Sequence, residues 1–265
     1  MNFKKCEMAY NEKQKRILNR LGYYDYQNGL IHRRLNQGKG WDRHLENCRN
    51  FIMRAINSIQ PVNITVLGSG WLLDLPLKEL SERTGIINLV DIVHPPDAIK
   101  QLANLGNIRF IEADVTGGLI WEVWEKTSGI PFMKKKIKPE DLNIPAYKLP
   151  DDPGLVISLN LLSQLETLPL RRLKEKTDAS DSEIMAFRHK IQKSHLDLLM
   201  RNKSILITDV CEIYSDKKGN KSEIETVVID LPFGQMREEW TWDFDLVRSD
   251  YYEMNSVLKV VALAL

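Results

Sequence analysis

The arrangement of apolar and polar positions changes character near residue 60. Before that point, apolar residues recur at helical spacing. "NEKQKRILNRLGYY" is rich in helix formers and stops near Gly22. "GWDRHLENCRNFIMRAINSI" puts Leu45, Cys48, Phe51, Ile52, Ala55, Ile56 and Ile59 three or four positions apart, which is one face of a helix that Pro61 then ends. From Asn63 onward, short continuous apolar runs take over: "ITVLG" at 64–68, "INLVDIV" at 87–93, "IRFIEAD" at 108–114 and "GLVISLN" at 154–160. Runs of this kind suit strands of a parallel sheet covered on both faces. Helix-length pieces alternate with them, "LLDLPLKELSERTG" and "PPDAIKQLANLG", each closed by glycine. "DSEIMAFRHKIQKSHLDLLM" reads as a long amphipathic helix and "SILITDVCEIY" at 204–214 as a fifth strand. In "EEWTWDFDL", Trp240, Trp242 and Phe244 alternate with polar residues, as in a strand exposed on one side, and "NSVLKVVALAL" supplies an antiparallel partner. The stretch 117–152 carries "MKKKIKPEDLNIP" and several prolines and reads as a partly irregular insertion at the carboxyl side of the strands. The whole predicts a doubly wound, mostly parallel seven-stranded α/β sheet with a C-terminal antiparallel hairpin, in a domain at 61–265 preceded by a helical cap at 1–60.

Composition narrows the setting without naming a chemistry. The chain has 265 residues and a formal net charge of +1, so no global charge recruits nucleic acid or an anionic membrane. Cys6, Cys48 and Cys211 are far apart and form no C-x-x-C pair, which predicts reduced thiols with neither a disulfide framework nor a zinc site. No segment approaches the roughly 20 apolar residues of a membrane span, and "MNFKKCEMAYNEKQKR" lacks the apolar core of a signal peptide. The expectation is a soluble cytoplasmic protein with no membrane partner and no metal, and the long helix 181–200 leaves room for a homodimer.

The candidate chemistry begins at "NITVLGSGWLLDLPLKEL". A strand that breaks on Gly68-Ser69-Gly70 and turns into a helix can bring backbone N–H groups against a ligand. Asp91 ends the second strand 23 residues after Gly68, where a carboxylate can accept both hydroxyls of a ribose. Asp114 ends the third strand another 23 residues on, where it can accept a hydrogen bond from an adenine amino group. Each acid can equally be a helix cap or a solvated turn residue, but three such features stand on three successive strand ends, where open α/β sheets bind ligands. A dinucleotide fold wants glycine or alanine at position 73 for close packing around a pyrophosphate, and Leu73 stands there. No P-loop sequence occurs.

Residues about 60 to 265 resemble the class I S-adenosylmethionine-dependent methyltransferases. The pieces that carry the resemblance are "VLGSGWLLD", the acid in "LVDIVH", "IEADVT", "GLVISLNLLSQL" and the closing "EEWTWDFDL … NSVLKVVALAL". The resemblance implies a Rossmann-like fold and S-adenosylmethionine as cofactor. It implies that Gly68, Ser69, Gly70, Trp71 and Leu72 line the methionine part, that Asp91 and Ile92 hold the ribose, and that Asp114 and Val115 meet the adenine. Asn160 and Leu161 would border the transferred methyl group. The family usually has an acid two residues before the first glycine, and this chain has Val66; Asp74, in the following helix, either replaces it in part or faces solvent. The resemblance thus implies a methyltransferase transferase activity on an unknown acceptor, with a small molecule favoured. A catalytically inactive interaction protein on the same fold is the alternative, and an NAD-dependent oxidoreductase a weaker one.

Methyl transfer from a sulfonium chiefly needs an aligned nucleophile, so the sequence need not advertise a catalytic residue. Asp209 and Glu212 in "ITDVCEIY", and Ser163 and Gln164 in "NLLSQLE", are positional candidates, with ordinary loop residues as the plain reading. Trp41 and His44 can touch substrate or cofactor from the cap, although such residues are more often structural. "MKKKIK" at 133–138 is read as a solvated charge run.

Overall fold

A computed structural model describes residues 10–102, 104–129, 137–248 and 254–265. Cys6 and residues 133–136 of the basic run lie outside the described residues. The apolar runs form β1 (Ile64–Leu67), β2 (Ile87–Asp91), β3 (Ile108–Glu112), β4 (Leu155–Leu159) and β5 (Ser204–Ser215). These five are parallel in the order β3-β2-β1-β4-β5. β8 (Asn255–Ala264) then runs antiparallel to β5, and β7 (Met236–Asp245) antiparallel to β8. The sheet has eight strands, not the seven read from sequence, because β6 (Lys221–Glu225) pairs with the outer half of β5. All five residues of "KSEIE" are exposed, so no burial pattern marks this strand in the sequence.

Register decides where the chain emerges. Leu67 pairs with both Val90 and Ser158, so β1, β2 and β4 finish level. Gly68, Asp91 and Asn160 therefore leave the sheet side by side. The connections reverse direction between β1 and β4, the switch point at which open α/β sheets leave a crevice.

Alternation along each strand feeds two cores. Ile64 and Val66 on β1 face one layer, which α3 (Asp42–Ile59), α4 (Leu77–Arg83) and α5 (Pro96–Gln101) cover. Leu67 faces the other, covered by α6 (Leu119–Thr127), α7 (Thr167–Lys176) and α8 (Asp181–Met200). Helix α3 presents Cys48, Phe51, Ile52 and Ala55, each fully buried, to the sheet. Burying one such phenylalanine contributes roughly 1.5–3 kcal/mol. The stretch 117–152 contains α6 in the crossover between β3 and β4, and its described residues after α6 include a 3-10 turn at Pro139–Asp141.

Two more helices complete the strand-end edge. α1 (Glu12–Leu21) opens on a capping box, with Asn11 Oδ1 accepting from Gln14 N–H and Gln14 Oε1 accepting from Asn11 N–H. Gly22, at φ 91°, ends it and lets the chain turn directly into α2 (Tyr23–Asn36). Ile17, Leu18 and Leu21 of α1 pack against Val93 and Ile120. Helix α2 buries no residue completely. Among the described residues, no helix is long and apolar enough to cross a membrane.

Candidate functional site

The turn after β1 is built from unusual backbone. Gly68, Gly70 and Leu72 all have positive φ, at 83°, 43° and 64°. At Gly68 a Cβ would sit 2.8 Å from the Leu159 carbonyl oxygen and 3.0 Å from Leu161 Cβ, so glycine there lets β1 leave closely beside β4. At Gly70 a Cβ would meet nothing nearer than Asp91 Oδ2 and Gln27 Oε1, both at 3.8 Å, so its glycine serves backbone conformation and open space. Gly70 N–H donates to Asp91 Oδ2 and Ile92 N–H to Asp91 Oδ1, each at 2.7 Å. One carboxylate thus ties the ends of two adjacent strands together. Asp91 is 8% exposed, and burial raises its carboxyl above the usual range against the opposing pull of His94 and these N–H groups.

A cavity lies on this edge. Residues 68–74 form its floor, Asp91 and Ile92 one side, and Leu159, Asn160 and Leu161 the other. Tyr23, Tyr26, Gln27 and Leu30 of α2 roof it. The hydrogen bonds that fasten the roof include Trp71 Nε1–H to the Gln27 carbonyl at 2.8 Å and Tyr26 O–H to Gln164 Oε1 at 3.1 Å. Gln164 Nε2 in turn donates to the Asn160 carbonyl at 2.8 Å. The structure therefore brings together Gly68, Ser69, Gly70, Trp71, Leu72, Asp91, Ile92, Asn160 and Leu161.

Asp114 and Val115 stand outside this cavity. Asp114 Oδ1 accepts from Thr116 N–H at 2.9 Å and from the Thr116 hydroxyl, and its Oδ2 accepts from Ile120 N–H at 3.1 Å. Its carboxylate caps the start of α6. Val115 lines a separate small space beside Tyr147 and His195.

The far end of the cavity is aromatic and acidic. His44 lies flat against Trp242, with ring centroids 3.7 Å apart and planes at 5°. Trp240 Nε1–H reaches His44 Nδ1 at 3.1 Å. An indole nitrogen only donates, so this contact needs Nδ1 as acceptor, while Nε2 faces Cys48 Sγ at 3.5 Å and Asn160 Nδ2 at 3.3 Å. Burial holds His44 neutral, with its pKa pushed down to about 3. Asp74 sits in the turn before α4 rather than within a helix, and its Oδ2 accepts from Asn160 Nδ2 at 2.8 Å. Burial lifts its carboxyl to about 6. Val66, at the position where the resemblance would place an acid, is fully buried in the core, and Asp74 lines the cavity from the other side of the turn.

His44, Cys48 and Asp74 have ligand atoms within 4.8 Å of one another, a composition that can hold a metal. The Trp240 hydrogen bond argues against that use. A metal on Nε2 would put the remaining proton on Nδ1, where it would confront the indole N–H. Burial also holds the Cys48 thiol well above its ordinary pKa.

Four buried polar atoms on the cavity wall have no partner among the described residues: Gln27 Oε1, Ser69 Oγ, Asn160 Oδ1 and Trp242 Nε1. Buried polar groups are nearly always paired, so a concentration of orphans around one cavity marks a place for a polar ligand. Two carboxylates, Asp74 and Asp91, line the same wall, and no lysine or arginine does among the described residues. The wall is rich in acceptors and suits a ligand that brings donors and positive charge.

Sequence reasoning did not find Tyr23, Tyr26, Gln27, Leu30, Thr167 or Leu168 at this cavity. Helix α2 lacks a buried face, so periodicity gave no sign of it. Trp41 and His44 both line the cavity, and Trp41 Nε1–H donates to the Phe244 carbonyl at 2.9 Å. Asp209, with Ser163 O–H donating to it at 2.6 Å, faces a neighbouring groove, as does Glu212, which accepts from the Tyr214 and Ser256 hydroxyls.

No protein-family model matches the chain, and no curated protein does. Solved structures do match over most of its length. N-methyltransferase NodS from Bradyrhizobium japonicum, in complex with S-adenosyl-L-homocysteine, is 11% identical with a TM-score of 0.36, over 82% of this chain and 85% of that one. A DhpI complex with the same ligand has 11% identity and a TM-score of 0.36, over 94% and 96% of the two chains. The 1,6-didemethyltoxoflavin-N1-methyltransferase of Burkholderia thailandensis has 11% identity and a TM-score of 0.36, over 97% and 92%. Likenesses this distant add nothing to the strand order and register, which by themselves define a doubly wound α/β sheet closed by an antiparallel pair.

Proposed function

We propose that the cavity binds S-adenosylmethionine and that the protein transfers its methyl group to a small-molecule acceptor. The observation that carries this reading is the character of the wall: two carboxylates, no lysine or arginine among the described residues, and four unpartnered buried polar atoms beside a glycine turn. S-adenosylmethionine offers an ammonium, two ribose hydroxyls and a sulfonium, all of which acceptors stabilise. A dinucleotide offers a pyrophosphate, which needs free N–H donors and cations. Here Gly70 N–H is already given to Asp91.

The residues fit the group in the following way. Asp91 stands at the side of the cavity, where its remaining acceptor capacity can meet the ribose hydroxyls. Asp74, with Ser69 Oγ and Asn160 Oδ1, offers acceptors for the ammonium. Residues Gly68 to Leu72 give the methionine chain a floor free of large side chains at its two glycines, and Ile92 with Tyr23 flanks the nucleoside end. Asn160 and Leu161 border the path toward the acceptor. Bound S-adenosylmethionine supplies an electrophilic methyl carbon whose bonding pair leaves with sulfur. The chain's own contribution is to position the acceptor in line and to exclude water behind α2.

Isothermal calorimetry on the purified protein tests the reading. One equivalent of S-adenosylmethionine is expected to bind in the micromolar range, with its product binding similarly and NAD showing no heat. A folded protein that binds NAD, or that leaves S-adenosylmethionine free, would overturn it.

A further inference from the structure

The cofactor cavity and a larger groove share four wall residues, Tyr26, Gln164, Thr167 and Trp242. The groove encloses about 840 Å³, against about 150 Å³ for the cavity. We propose that this groove seats the methyl acceptor, that the acceptor is a primary or secondary amine, and that Asp209 takes its proton. The proposal rests on the methyltransferase reading above.

Asp209 is the first support. It lies at the end of the parallel half of β5, where the pairing with β8 slips, and it is 5% exposed. The Ser163 hydroxyl donates to it at 2.6 Å, and no lysine or arginine pairs with it among the described residues. A carboxylate buried without a counter-ion is costly, and a ligand cation offsets that cost. Burial also raises its proton affinity, which suits a group that must accept a proton from an ammonium.

The rest of the groove agrees in sign. Glu166, Glu175, Asp181, Asp209, Glu212 and Glu225 line it, against Arg171, Lys174 and Arg188. Arg188 is committed to Glu166 at 3.0 Å and Arg171 to the Leu21 carbonyl at 2.8 Å. An excess of negative charge therefore faces the space. Trp242 is an independent sign that a ligand belongs there. It is 5% exposed, it lines both spaces, and its indole N–H has no acceptor among the described residues. With Tyr26 and Phe244 it gives an aromatic wall on which an ammonium or its apolar substituent can rest.

The step balances as follows. The ammonium N–H proton passes to the Asp209 carboxylate and frees the nitrogen lone pair. The lone pair forms the new N–C bond to the methyl carbon as the C–S bond breaks, and its electrons return to sulfur as a thioether. The product is an N-methylammonium, and Asp209 releases its proton to water, one per turnover.

The test runs in two stages that fail separately. Calorimetry with S-adenosylmethionine comes first, and absence of binding sinks the methyltransferase reading and this proposal together. The loaded protein is then offered benzylamine and N-methylbenzylamine beside benzyl alcohol, benzyl mercaptan and benzoate, with S-adenosylhomocysteine formation as readout. Turnover confined to the amines is expected. In Asp209→Asn, kcat for benzylamine should fall about 10²- to 10⁴-fold, the usual size of proton-transfer assistance, with cofactor affinity unchanged and a smaller rise in KM. If cofactor binds but the alcohol, thiol or carboxylate reacts and the amines do not, or if nothing in the panel reacts, the amine assignment falls and the methyltransferase reading stands. An unchanged kcat in folded Asp209→Asn removes Asp209 from the step. Should that variant not fold, the wild-type preference between benzylamine and benzyl alcohol decides.

Discussion

Replacing Asp91 by alanine separates the two tasks of one carboxylate. In the protein alone it accepts two backbone N–H groups at 2.7 Å, from Gly70 and Ile92. Hydrogen bonds to a charged acceptor contribute roughly 1.5–3 kcal/mol each, or about 3–6 kcal/mol for the pair. Burial of the carboxylate, which raises its pKa, offsets part of this. A net loss of about 2–3 kcal/mol is therefore expected, and a chain of this size should lose roughly 4–12 °C in Tm. Cofactor binding should suffer more. Two ribose hydroxyls on a charged acceptor again represent about 3–6 kcal/mol, which is two to four decades in Kd. Differential scanning calorimetry reads the first quantity and titration with S-adenosylmethionine the second. Asp91→Asn, which keeps one oxygen acceptor, should fall between wild type and alanine in both. A folded Asp91→Ala protein whose Kd for S-adenosylmethionine stays within threefold of wild type would refute the assignment of the ribose to this strand end.

The remaining predictions concern the same wall. Asp74, lifted to about 6, can accept an ammonium only when ionised. Binding a cation then favours its deprotonated form, so affinity should weaken up to about tenfold per pH unit below 6 and level off above it. Titrations across this range should show that limb, and Asp74→Asn should lack it. Gly68→Ala should cost about 2–4 kcal/mol in urea unfolding, because its Cβ would sit 2.8 Å from the Leu159 carbonyl at φ 83°. Gly70→Ala meets no atom nearer than 3.8 Å, so it should cost only about 1–2 kcal/mol while cutting cofactor affinity, because its methyl would stand between Asp91 and Gln27. Cobalt(II) added to the protein should give no thiolate charge-transfer band, because a metal on His44 Nε2 would set a proton on Nδ1 against the Trp240 indole N–H; a stoichiometric band lost in Cys48→Ser would reverse that conclusion.

What sequence reading recovered follows burial. β1, β2 and β4 are buried at every residue, and such runs leave an unbroken apolar signal. Once those strands are parallel and level, Gly68, Asp91 and Asn160 must emerge together, which is why most of the cavity floor was legible. Asp114 shows the limit of reasoning by position alone. It stands at the expected strand end, yet its oxygens are spent on Thr116 and Ile120, and only coordinates reveal how a carboxylate is committed. Two further elements left no trace for physical reasons. Helix α2 touches the cavity with half-buried residues and has no apolar stripe, and β6 is exposed throughout. The meeting of His44 with Trp242 joins residues far apart in the chain, and "EEWTWDFDL" read locally suggests only sheet packing.

The loose seating of α2 has a kinetic consequence. This helix buries no residue fully, and its ties include the hydrogen bonds from Trp71 and to Gln164 and the Arg33–Asp245 ion pair at 3.7 Å, with the Arg33 guanidinium 4.5 Å from the centre of the Phe244 ring. At about 0.5–1.5 kcal/mol apiece, the two hydrogen bonds add about 1–3 kcal/mol to the cost of opening, which leaves the open form a minority. If the cavity holds S-adenosylmethionine as proposed, spent cofactor leaves through that minority. Its dwell time, rather than the speed of bond exchange, would then set the pace of repeated turnover. Trp71→Phe, which removes one fastening, should shorten the residence of S-adenosylhomocysteine severalfold in stopped-flow release, at the expense of its affinity.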